Sequence, residues 1–191
     1  MALWNTERAW GWPATRLHWL MALLVLALLA LGLVMVDIED LRRQFQLYQL
    51  HKSLGLLALA AVVVRLVWRA ANRAPDLPPG TRPWEAVLAR ATHAAIYVLL
   101  LALPASGFLM AASSPLAVPT EIFGILPVPH PIGPDEAVHR TLRSVHDLLG
   151  KLLMVLLLLH VAGALRHHLV LRDEVLLRML PGLPRRSGTG R

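Results

Sequence analysis

SVHDLLGKLLMVLLLLHVAGALRHH, residues 144–168, decides how this chain is read. Its leucine-rich middle is long enough to cross a ~30 Å hydrocarbon core as a helix. Yet it carries four histidines: His146, His160, His167 and His168. Histidine is costly at bilayer depth and marks a functional group there by default. His146 and His160 are 14 residues apart. At ~100° and ~1.5 Å per residue they project from one face, ~21 Å apart along the axis. One therefore belongs to each half of the membrane, and each needs a partner at its own depth.

Three further apolar stretches supply those partners. Spans are expected at about 17–36, 50–71, 92–112 and 145–169, with a long connection at about 113–143. The expected fold is an all-α integral membrane four-helix bundle, one transmembrane domain over residues 1–191. The first stretch reads as a span and not as a signal peptide, because the run is long and lacks a clear small-residue cleavage site. Arginines set the orientation: Arg8 and Arg16 before the first span, Arg65, Arg69, Arg73, Arg82 and Arg90 around the second connection, Arg166, Arg172, Arg178, Arg185 and Arg186 at the end. By the positive-inside bias both termini are expected in the cytoplasm. All six tryptophans fall in or near the same zones, as interfacial anchors do.

Composition agrees. Of 191 residues, 56% are apolar, which is high for a soluble domain. The net charge of +7 is read as the orientation signal and not as a nucleic-acid surface. There is no cysteine, which excludes disulfides, iron–sulfur clusters, thiolate zinc sites and thioether-attached haem. The long connection carries Pro115, Pro119, Pro127, Pro129, Pro131 and Pro134 and is expected to be a stiff, extended cover on the outer face. The segment RDEVLLRMLPGLPRR is expected to include a short interfacial helix.

With this topology His51 lies at the depth of His146, and His18 lies on the side of His160. One helical turn beyond each of the four stands a small residue: Ala22, Gly55, Gly150 and Ala164. A flat macrocycle edge against a helix requires such a missing side chain beside its axial ligand. Two isolated imidazoles per level suit haem iron, which needs only axial protein ligands. Zinc asks for three or four, and no carboxylate or thiolate stands at these depths. The expected metal ligands are His18, His51, His146 and His160, each pair gripping one non-covalent haem b.

Other groups take secondary roles. Arg16 and Arg65 or Arg69 stand where haem propionates end. His93, a turn before Tyr97, is the rival to His18 and is read as a propionate donor. His167 shares the face of His160, nearer the cytoplasm, and is placed to hydrogen-bond a quinone carbonyl or a propionate. His168, His130 and His139 are read as solvated. Lys151 is expected to snorkel to the outer surface, and Lys52, Arg140 and Arg143 lie near the outer level, where they can draw an anionic reactant or hold propionates.

The segments RLHW at 16–19, HKSLG at 51–55, RLVWR at 65–69, HAAIYVLLLALPASG at 93–107, HDLLG at 146–150 and LHVAGALRHH at 159–168 resemble the bacterial cytochrome b561 family, as does the LLRMLP tail. The resemblance covers nearly the whole chain. It implies a four-helix inner-membrane protein with two b haems on the four histidines above. It further implies oxidoreductase activity of the kind that oxidises superoxide at the periplasmic face and reduces ubiquinone. The alternative it leaves open is a cytochrome b subunit docked to a partner dehydrogenase or hydrogenase. Direction of transfer and oligomeric state are not implied.

Overall fold

The computed structural model describes residues 2–7, 9–78 and 80–180. Arg8, Arg185 and Arg186, counted above toward orientation, lie outside these, as does the end of the tail from residue 181. Four long helices dominate: α1 (Trp12–Val34), α2 (Leu41–Ala71), α3 (Pro83–Ala112) and α4 (Glu136–Arg166). All four are long and apolar enough to cross a membrane. In lipid every backbone polar group must be satisfied within the protein, and a helix does this along its own length. The leucines at positions 20, 23, 158 and 159 are each more than half exposed, as befits side chains facing acyl chains.

The helices are not bounded by the apolar stretches. Both α2 and α4 begin about nine residues earlier than their apolar runs, in polar sequence. Each start is capped by an aspartate: Asp40 accepts from the Arg43 amide at 2.7 Å, and Asp135 from that of Val138 at 3.0 Å. Sequential helices pack as neighbours, α1 on α2, α2 on α3, and most extensively α3 on α4.

The core is small and aliphatic. Val25, Leu99 and Leu153 are buried together, with Leu29, Ile96, Leu103, Leu149 and Leu156 packed on them. Leu153 is seven residues from His146 and seven from His160, so this cluster sits midway between the two histidine levels.

Each end of the bundle has its own closure. At one end the connection after α3 holds a two-stranded antiparallel hairpin, β1 (Thr120–Ile122) and β2 (Leu126–Val128), which the extended reading of this segment did not include. Ser53 of α2 clamps it: the hydroxyl accepts from the Phe123 amide at 2.9 Å and lies 3.0 Å from the Glu121 carbonyl. Lys52 donates to the Pro119 carbonyl at 3.0 Å. At the other end the first residues lie along the α2–α3 connection, Asn5 donating to the Arg73 carbonyl at 3.0 Å. Gly11 is required there, since a Cβ would stand 2.3 Å from the Leu3 carbonyl oxygen. The tail returns to the same end, where the Met179 carbonyl accepts from the Trp19 indole at 2.7 Å. Among its described residues, it forms one 3-10 turn at Leu177–Met179.

Candidate functional site

The bundle brings the four selected histidines together as two pairs. His51 of α2 faces His146 of α4 with ring centroids 6.3 Å apart. His18 of α1 faces His160 of α4 at 6.1 Å. Two imidazoles on opposite sides of one iron, each bonded at ~2 Å through a nitrogen ~1.1 Å from its ring centre, stand about 6.2 Å apart by centroid. Both observed spacings match that value. His93 approaches His160 more closely, at 5.0 Å and nearly perpendicular, too near for an intervening metal. Its Nδ1 donates to the Ala89 carbonyl at 2.6 Å.

At the hairpin-end pair the surroundings fix one imidazole and leave the other open. His146 Nδ1 lies 3.1 Å from the Leu103 carbonyl and 3.1 Å from the Ser106 hydroxyl. A carbonyl only accepts, so Nδ1 carries the proton and Nε2 presents its lone pair, the tautomer a metal requires. Ser106 is itself oriented by donating to Leu103 at 2.9 Å. His51 Nδ1, by contrast, is buried without a hydrogen-bond partner among the described residues.

Glycines shape this level from two directions. Gly107 of α3 and Gly32 of α1 lie flat against the rings: a Cβ on Gly107 would meet His146 Cε1 at 3.0 Å, and one on Gly32 would meet His51 Cε1 at 3.4 Å. Gly55 and Gly150, one turn from the histidines, are different. A Cβ on either would meet no heavy atom within 4 Å, so no neighbouring side chain fills the space beside them. That is the cradle a macrocycle edge needs. Pro104, one turn before Phe108, removes one helical hydrogen bond from α3 where it passes His146.

The second pair has a cationic neighbour. Arg65 of α2 places Nη2 3.2 Å from His18 Nδ1 and donates through Nε to the Tyr97 hydroxyl at 2.9 Å. Its Nη1 is buried with no partner among the described residues. A buried guanidinium with an unpaired donor is the complement of a carboxylate. Arg69 lies over the Tyr97 ring at 5.5 Å. Arg16 is exposed, its guanidinium 4.9 Å above the Trp12 ring.

The remaining selected residues lie apart from the pairs. His167 bonds Asp173 at 2.5 Å, beyond the end of α4. Lys151 pairs with Asp147 at 2.7 Å on an exposed face. His130 bonds the Thr120 hydroxyl at 3.0 Å, and His139 donates to the Met110 carbonyl at 2.8 Å, so both serve the hairpin-end closure. Sequence reasoning did not single out Gly32, Gly107, Ser106 or the Arg65–His18 contact. The adjacent Ser106–Gly107 pair within an apolar run was the available signal.

With this geometry in hand, the comparisons are informative. The sequence profile described as prokaryotic cytochrome b561 matches residues 9–182. Cytochrome b561 homolog 2 of Escherichia coli is 33% identical over 181 residues, covering 94% of this chain and 95% of the relative. A protein of Yersinia pestis named probable superoxide oxidase CybB is 30% identical over 171 residues, 86% of this chain and 92% of the relative. Cytochrome b561 homolog 1 of Escherichia coli is 25% identical over 131 residues, 69% and 73% respectively. The chain, with its four apolar helices and paired histidines, belongs to the prokaryotic cytochrome b561 family of multi-pass membrane cytochromes.

Proposed function

We propose that the chain is a di-haem b transmembrane electron-transfer enzyme of the bacterial inner membrane, a superoxide:ubiquinone oxidoreductase with both termini in the cytoplasm. The observation that carries this reading is the pair of ring spacings, 6.3 Å and 6.1 Å, at two levels of one bundle. His51 and His146 would hold one haem, His18 and His160 the other. Haem b held there would supply one-electron redox chemistry.

The protein's own groups do the rest. The Leu103 carbonyl and Ser106 hold His146 in its ligating tautomer. Arg65, with its unpaired Nη1, receives a propionate at the cytoplasmic level, and Arg16 offers a second, exposed contact. Gly55 and Gly150 admit the macrocycle edge. The aliphatic cluster around Leu153 keeps water out of the interval between the levels. His167 hydrogen-bonds the quinone carbonyl. On the periplasmic face Arg143 is exposed to attract the superoxide anion, while Arg140 is paired with Glu136 at 3.7 Å. Lys151 contributes little there because Asp147 neutralises it. The name of the Yersinia pestis relative supports the choice of superoxide as donor.

The test is direct. Purified protein is expected to contain two haems per chain and to reduce a short-chain ubiquinone when superoxide is the only reductant. Two haems without superoxide-driven turnover would assign the chain instead to a subunit docked on a partner dehydrogenase. A colourless protein would remove the haem reading altogether.

A further inference from the structure

The end of α4 does not stop as an ordinary helix. Residues His167–Leu171 form a π-turn, Arg172 follows with φ of 54°, and the Asp173 amide donates to the His167 carbonyl at 3.1 Å. π-turns are rare and recur at functional sites, and a left-handed arginine is strained. The consequence is geometric. In a regular α-helix a residue six positions on would point about 120° away from His167. The wide turn and the reversal at Arg172 instead bring the Asp173 carboxylate back onto the His167 ring, Oδ2 to Nδ1, at 2.5 Å. Both side chains are four-fifths buried.

The carboxylate is held at both oxygens. Oδ1 accepts from the Val175 amide at 3.0 Å, which leaves Oδ2 to the imidazole. The segment carrying it is pinned in turn. Trp19 of α1 donates to the Met179 carbonyl, and Arg178 donates to the Asp76 carbonyl at 3.1 Å. Arg166, just before His167, is tied to Glu85 of α3 at 3.1 Å. These contacts hold the segments on both sides of His167 in place.

We propose that Asp173 and His167 form a proton-handling dyad for the quinone, with Asp173 as a positioning residue that confines the exchangeable proton of His167 to Nε2. The proposal rests on the reading of His167 as a quinone contact. With Nδ1–H committed to the carboxylate, the ring can take and give a proton only at Nε2. Reduction of one ubiquinone to ubiquinol consumes two electrons and two protons. Two superoxide ions supply the electrons and leave as two molecules of dioxygen. His167 Nε2 passes one proton to the quinone oxygen and is reloaded from cytoplasmic water, and water supplies the second. General acid catalysis of this kind contributes ~10²–10⁴ in rate.

Asp173→Asn keeps an oxygen for Val175 but places an amide N–H beside Nδ1, which stabilises the wrong tautomer. Haem-loaded full-length protein is pre-reduced and mixed with a short-chain ubiquinone in stopped flow. Asp173→Asn is expected to lower the maximal reoxidation rate about tenfold or more, in line with a lost acid, with KM for quinone little changed. Asp173→Glu should recover part of it, and both variants should keep the wild-type reduced spectrum. Independently, ¹⁵N NMR of histidine-labelled protein should show the His167 Nδ1–H signal in wild type and its loss in Asp173→Asn. His167→Leu separates the two layers. If it leaves quinone reduction unchanged, the quinone contact itself is wrong. If His167→Leu is slow but Asp173→Asn matches wild type in maximal rate, the dyad is overturned. The same holds if the NMR signal persists, or if KM alone rises.

Discussion

Gly107 and Gly32 touch imidazoles at different distances, and the difference is testable. A methyl on Gly107 would stand 3.0 Å from His146 Cε1 and 3.3 Å from Nδ1, on a ring already fixed by Leu103 and Ser106. It can yield only by stretching those bonds. Gly107→Ala is expected to halve the haem content to one per chain, read by pyridine haemochrome against protein concentration. Gly32→Ala meets His51 at 3.4 Å, an ordinary contact, on a ring with no Nδ1 partner. It should retain both haems. The histidines themselves were legible because a 14-residue spacing, a matched depth and a small i+4 neighbour are all properties of one strand of text. Their glycine backstops were not, because α1 meets α2, and α3 meets α4, only after folding. Arg65 illustrates the same limit: it was marked for a propionate, but its contact with His18 spans 47 residues and leaves no periodic trace.

At the scale of elements the hairpin hangs on one hydroxyl. Ser53 is almost wholly buried and serves the Gln49 carbonyl, the Glu121 carbonyl and the Phe123 amide. Ser53→Ala leaves the Phe123 N–H without its acceptor, a loss of about 1–3 kcal/mol. The expected outcome is faster amide exchange and proteolysis across 117–128, with both haems retained. At the opposite end Gly11→Ala forces the Leu3 carbonyl away and should lower stability by about 1–3 kcal/mol, seen as a reduced Tm. The hairpin was hidden in the sequence by its prolines. Its turn is made by Phe123 and Gly124, with φ of 52° and 70°, a brief signal inside a segment otherwise read as extended. The polar first turns of α2 and α4 were missed for a related reason. Apolar runs mark where lipid is, and a helix continues past that point wherever a cap such as Asp40 or Asp135 starts it earlier.

For the whole molecule the open question is which end faces which compartment. The hairpin and the tail close opposite ends, and the absence of native cysteine makes labelling clean. A single cysteine at Ile125, 84% exposed at the hairpin tip, is expected to react with an impermeant maleimide in intact spheroplasts. One at Glu174 should react only after lysis. The reverse pattern would invert the proposed direction of transfer. The number of spans was legible at this scale because it depends on runs of leucine, which tolerate errors of several residues at each boundary.

On the proposed di-haem reading, each haem would take one of its ligands from the same rod. His146 and His160 are carried by α4 alone, with an unbroken helix between them. Any electron passing between those two levels would cross an interval metered by helical pitch, which no rearrangement of loops can lengthen. Inserting a single alanine between those two residues would leave hydropathy untouched yet rotate one imidazole by ~100° relative to the other. The circuit would be cut at one contact while the membrane anchor stayed whole.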